Sequence, residues 1–155
     1  MNIDLLEKKQ RKEIKENLNQ EYGIDLDFSF HLVRSGKEKI RIFTGDINET
    51  ELSVLNSLVR IDSLGMYFAF IKDGLRLSLD SAIVFGRKAK KNILELNKDQ
   101  AIAWMAGKNL SVTEFKETDF KSPLIKYKDD ILGQGKITES IWNFVPKERR
   151  THFID

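Results

Sequence analysis

The residues best placed to do chemistry lie late in the chain: Leu132-Gly133-Gln134-Gly135-Lys136, followed by Asn143-Phe144-Val145-Pro146-Lys147-Glu148-Arg149-Arg150. The chemistry they suit is the holding of phosphate, not the making of bonds. Glycine lets backbone come close to another surface, and inside a strand it marks a bulge or a contact point. Ammonium and guanidinium groups beside such a surface attract a polyanion. The densest basic run, Arg87-Lys88-Ala89-Lys90-Lys91, adds four more cations. Arg76 and Asn143 add hydrogen-bonding groups from neighbouring strands. The expected binding set is therefore Arg76, Arg87, Lys88, Lys90, Lys91, Gly133, Gly135, Lys136, Asn143, Lys147, Arg149 and Arg150. It would line one wall of a small β-barrel that touches RNA. The competing reading is a Gly-rich barrel corner beside a solvated basic tail.

Catalytic chemistry has little to draw on. The chain has no Cys, which removes disulfides, thiolate metal sites and cysteine nucleophiles. His31 and His152 stand far apart without ligand spacing, so no metal is expected. No phosphate-binding loop, dinucleotide fingerprint, nucleophile elbow or zinc-protease motif is present, and no cofactor is expected. Asp129-Asp130 falls in a turn and reads as solvated, not as a catalytic dyad. A non-enzyme is the expectation, although site residues that meet only in space leave no linear trace.

Length and charge limit the rest. A chain of 155 residues favours one domain with a small appendage. The net charge is only +2, so contact with nucleic acid needs a local patch. No apolar run reaches the roughly 18–20 residues that span a bilayer. Met1 to Gln20 has no apolar segment of the signal-peptide kind. A soluble, cytoplasmic protein without membrane partners is expected.

Periodicity supplies the elements. Asn2 to Asn19 reads as a helix with Ile3, Leu6, Ile14 and Leu18 on a thin apolar stripe, stopped by Gly23. Phe28, Phe30 and Leu32 alternate with Ser29 and His31, and Lys39 to Thr44 alternates again after the Ser35-Gly36-Lys37 turn, a hairpin. Asn48 with Glu51 forms a capping box for a packing helix carrying Leu52, Leu55, Leu58 and Val59. Met66 to Ile71 is a strand, closed by the Lys72-Asp73-Gly74 turn. An α+β unit over 1–72 is expected.

Short strands take over from 73 to 155. Leu75 to Leu79 alternates. Asp80 or Ser81 caps a single turn ending at Gly86. Ile93 to Leu96 is a strand, and Asn97 with Gln100 is a second capping box, opening a helix with Trp104 on its core side. Leu124 to Tyr127, Ile131 to Ile137 and Ile141 to Val145 are three more strands, and Pro146 ends pairing. A small mixed β pseudo-barrel with minor helices suits this order.

From Gly74 to Arg150 the chain resembles the PUA-like RNA-binding domain at the C-terminus of Nol1/Nop2/Sun-type RNA cytosine methyltransferases. The resemblance rests on an ordered series: Gly74-Leu75-Arg76-Leu77-Ser78, Asn92-Ile93-Leu94-Glu95-Leu96, Ala106-Gly107-Lys108-Asn109-Leu110, then the two late segments quoted first. It implies a PUA-like pseudo-barrel that binds structured RNA, rRNA or tRNA, beside a catalytic domain. Those enzymes use catalytic Cys residues that are lacking here, so the activity does not carry over with the fold. The implied role is accessory to RNA modification or ribosome biogenesis. The alternative is a protein-interaction module, partnering an RNA methyltransferase or a ribosomal particle, with an apolar patch around Tyr67, Phe68 and Phe70.

Overall fold

Alternating apolar residues need a partner strand to hide one face, and the strands among the described residues find theirs in two five-stranded sheets. A computed structural model describes residues 3–27, 29–115 and 120–152. The chain divides into two compact units, Met1–Gln20 with Asp25–Arg76, and Glu21–Ile24 with Leu77–Asp155.

The first sheet is a meander of β1 (Ile3–Leu5), β2 (His31–Ser35), β3 (Lys39–Phe43), β4 (Met66–Ile71) and β5 (Leu75–Leu77), paired in that order. Helix α1 (Lys8–Tyr22) follows β1, and α2 (Glu49–Leu58) follows β3. The expected helix from Asn2 is corrected here: Asn2 lies outside the described residues, Ile3–Leu5 is a strand antiparallel to β2, and the helix begins at Lys8. A three-residue strand is too short for its own period to show. Ile14 and Leu18 bury the helix's apolar stripe as expected, and Gly23, at φ 66°, follows its last turn. The strand expected from Phe28 starts at His31, and Phe28 itself lies outside the described residues.

The capping box of α2 is present, with Asn48 Oδ1 accepting from the Glu51 N–H and Glu51 Oε2 from the Asn48 N–H, each at 2.9 Å. Its expected packing stripe is only partly buried. Leu52 packs with Ile3 and Val33, whereas Leu55, Leu58 and Val59 stay exposed. Opposite Ile40 and Arg41, β4 carries one extra residue, Phe68. That bulge turns Phe68 and Ala69 both into the core, each wholly buried. The apolar patch expected around Tyr67, Phe68 and Phe70 is therefore not built: Phe68 is core, and Tyr67 and Phe70 are half-buried.

The second unit contains α3 (Leu79–Gly86), β6 (Ile93–Glu95), α4 (Lys98–Met105), β7 (Leu110–Ser111), β8 (Leu124–Tyr127), β9 (Asp130–Ile137) and β10 (Ser140–Asn143). The sheet order is β6-β8-β9-β10-β7, with β6 parallel to β8 and the other pairs antiparallel. This mixed sheet curls into a half-barrel, giving an α+β fold overall. The cap of α3 is Ser78, whose Oγ accepts from the Ser81 N–H at 3.1 Å, and the helix runs two turns. Neither Asp80 nor Ser81 is that cap. The Asn97–Gln100 capping box opens α4 as expected. Trp104 is wholly buried against Leu94, Leu110, Ile125, Ile141 and Val145. Leu75–Leu77, read as the first of the late strands, edges the first sheet.

Candidate nucleic-acid interface

The glycine pair sits at a bulge. Ile125 of β8 opposes Gly133, and the next residue, Lys126, opposes Ile131. Leu132 is thus the extra residue of β9, and its carbonyl accepts the Trp104 indole N–H at 3.0 Å. Gly133 takes φ 120°, a left-handed backbone that a side chain would strain. At Gly135 an added Cβ would lie 2.9 Å from Ile141 Cγ2 and 3.2 Å from Trp104 Cη2. Both glycines are buried, and the surface they approach closely is the indole of Trp104.

Gln134, between them, points the other way and is also buried. Its Oε1 accepts from the Leu77 N–H at 2.8 Å, and its Nε2 donates to the Tyr22 hydroxyl at 2.7 Å. That hydroxyl donates in turn to the Ser122 carbonyl at 2.8 Å. Burial pushes the Tyr22 phenol well above its ordinary range, the Glu21 charge adds to the shift, and the Gln134 bond opposes it. The stabilisation belonging to this shift is whole below about pH 10, where a free tyrosine ionises, and is lost as pH rises beyond. Denaturant unfolding of wild type and Tyr22→Phe between pH 8 and 11 checks this. The wild type should lose up to about 1.4 kcal/mol per pH unit more than the variant above pH 10. At neutral pH the variant should be less stable by about 1–3 kcal/mol, because the Gln134 amide loses its best acceptor.

The cations fall into groups. Arg87, Lys88, Lys90 and Lys91 form an exposed turn after the C-terminal end of α3. Arg87 leans toward Asp130, 3.6 Å away, over an open groove of about 380 Å³ lined also by Lys126 and Asp129. Lys88, Lys90 and Lys91 make no ion pair among the described residues. Lys147 and Arg149 lie on a short 3-10 turn, and Arg149 pairs at 3.0 Å with Asp80 in the first turn of α3. The two groups therefore lie toward opposite ends of α3, roughly 10 Å apart along its axis. Lys136 is separate, exposed on β9.

Three expected residues make contacts within the fold. Asn143 donates its side-chain amide to the carbonyls of Trp104 (2.7 Å) and Lys108 (3.0 Å) and accepts the Val145 N–H (2.8 Å). Arg150 Nε donates to the Val145 carbonyl at 3.1 Å. Arg76 belongs to the first unit, its guanidinium 5.0 Å from the centre of the Phe70 ring. One residue that the sequence did not single out is Trp142, which is 53% exposed. Its signal was available: Ile141 is the inward residue of β10, so strand alternation sends Trp142 outward.

Among the described residues no cluster of three His, Asp or Glu could hold a metal ion, and no helix is long and apolar enough to cross a membrane. No curated protein matches the chain. Residues 91–151, from the end of the basic turn through β10 and its closing 3-10 turn, match the family model described as the methyltransferase RsmF PUA domain. This segment of the second unit is thus similar to a PUA-like domain of the kind carried by Sun/Nop2-type methyltransferases.

Proposed function

We propose that this protein binds structured RNA, ribosomal or transfer, as a cytoplasmic, non-catalytic accessory to RNA modification or ribosome biogenesis. The observation that carries the reading is the PUA match over 91–151, which begins at Lys91, the last residue of the exposed lysine turn. Lys88, Lys90 and Lys91 are the principal phosphate contacts, with Lys136 and Lys147 extending them. Arg87 and Arg149 join once the phosphates compete for them with Asp130 and Asp80. Gly133, Gly135, Asn143 and Arg150 support the surface from within.

Phosphate contacts release counterions, so affinity should fall steeply with salt. The five lysine contacts alone predict a log–log slope of roughly −4, a loss of at least about two orders of magnitude between 50 and 200 mM salt. Fluorescence anisotropy with a labelled structured RNA reads this directly. A flat salt response would remove the reading.

A second reading, a protein-interaction module, is favoured by α2 and the residue after it. Leu58 is 73% exposed there, and Val54 and Val59 are 52% exposed. An association that survives nuclease and high salt, and that Leu58→Asp abolishes, would assign the module to that face.

A further inference from the structure

Trp142 stands on the outer side of β10 in polar company. Directly across the ladder is Lys136, and opposed side chains on antiparallel strands stand about 5 Å apart at Cβ. Lys136 is exposed and makes no ion pair among the described residues. Two residues earlier on the same side of β10, Ser140 faces Ser111 of β7. The ladder sets this half-exposed indole beside an ammonium and two hydroxyls, whereas a protein-docking patch is centred on apolar side chains. It offers an exposed indole with an ammonium on the residue opposite, which fits a planar solute carrying negative charge.

The platform is held firmly. The Asn143 N–H donates to Asn109 Oδ1 at 2.9 Å, and the Asn143 side chain ties the end of β10 to the close of α4. Ile141, on the other side of Trp142, is wholly buried. The backbone on both flanks of the indole is thus fixed before any ligand arrives, so little ordering is required on binding.

We propose that Trp142 is a stacking platform for an unpaired base of the bound RNA, with Lys136 taking an adjacent phosphate. This deepens the RNA-binding reading and rests on it. An A-form duplex keeps its bases stacked on one another, so the site would engage a loop, bulge or single-stranded end. Stacking on one aromatic residue discriminates by about 5- to 150-fold.

The two tryptophans make the test direct, because Trp104 is wholly buried and Trp142 is the one open to a ligand. The full chain is titrated with a hairpin bearing an unpaired loop and with a blunt duplex of similar length, following Trp emission and anisotropy. The expected result is quenching by the hairpin and little by the duplex. Trp142→Ala should weaken hairpin binding about 5- to 150-fold, leave duplex binding unchanged and abolish the quenching. Trp142→Phe should keep part of the affinity. If Trp142→Ala binds the hairpin as tightly as wild type, the platform is overturned while RNA binding stands. If neither RNA binds the wild type with salt-dependent affinity, both readings fall. Quenching that a protein partner produces and RNA does not would also overturn the platform.

Discussion

The triple reversal Lys88→Glu, Lys90→Glu, Lys91→Glu should cut affinity for structured RNA by about two orders of magnitude near 100 mM salt, with the fold intact. A unit charge about 4 Å from a phosphate is worth about 1 kcal/mol in water. Reversal removes that attraction and adds repulsion of similar size. Salt screening takes back about half, which leaves roughly 3 kcal/mol for three residues. The three side chains are exposed and without ion partners among the described residues, so their exchange should move stability by no more than about 0.5 kcal/mol. Arg87 is left in place because a glutamate there would face Asp130 and Asp129 across the groove, mixing a folding effect with a binding one. The salt slope should fall by about 2–3 along with the affinity. Unchanged binding in the triple variant would move the site away from this turn.

The largest effect on stability is expected at Trp104. Trp104→Ala should destabilise the second unit by about 3–5 kcal/mol, the usual cost of emptying a buried aromatic site. The indole is wholly buried and fills the space beside Gly135, where even a methyl group would crowd it. Its N–H also serves the carbonyl of the bulge residue Leu132. The part-buried carbonyl left without that donor adds about 1–3 kcal/mol when the site cannot admit water. Trp104→Phe separates the two contributions, since it restores most of the volume and not the donor. Urea denaturation followed by far-ultraviolet circular dichroism checks both variants. A midpoint for Trp104→Ala equal to that of wild type would mean that the glycine bulge is held by something other than the indole.

What could be read from the residues alone depended on how local the interaction was. The capping boxes at Asn48 and Asn97 were legible because each closes within three residues. The β8 strand was legible to the residue, and the Lys72-Asp73-Gly74 turn is built with Asp73 and Gly74 at positive φ. The strand Ile3–Leu5 was not, because its partner β2 lies about thirty residues away and supplies the reason for its shape. The patch expected around Tyr67, Phe68 and Phe70 fails at Phe68 because a bulge, set by the partner strand, turns that residue into the core. The glycine pair was recognised as a close-approach point, but linear order does not say which surface approaches. Asn143 was read as a binding residue because a side-chain amide suits RNA as well as it suits three backbone groups. The basic turn was legible as charge. Its separation from Arg149 by the length of α3 follows from Asp80, a partner nearly seventy residues away.

The Tyr22–Gln134 bond joins residues 112 positions apart. During synthesis at roughly 5–20 residues per second, the phenol of Tyr22 would wait about 6 to 20 s for its amide partner to leave the ribosome. Through that interval the Tyr22 hydroxyl is without both Gln134 and Ser122, so this corner of the later unit's interior is completed only near the end of synthesis.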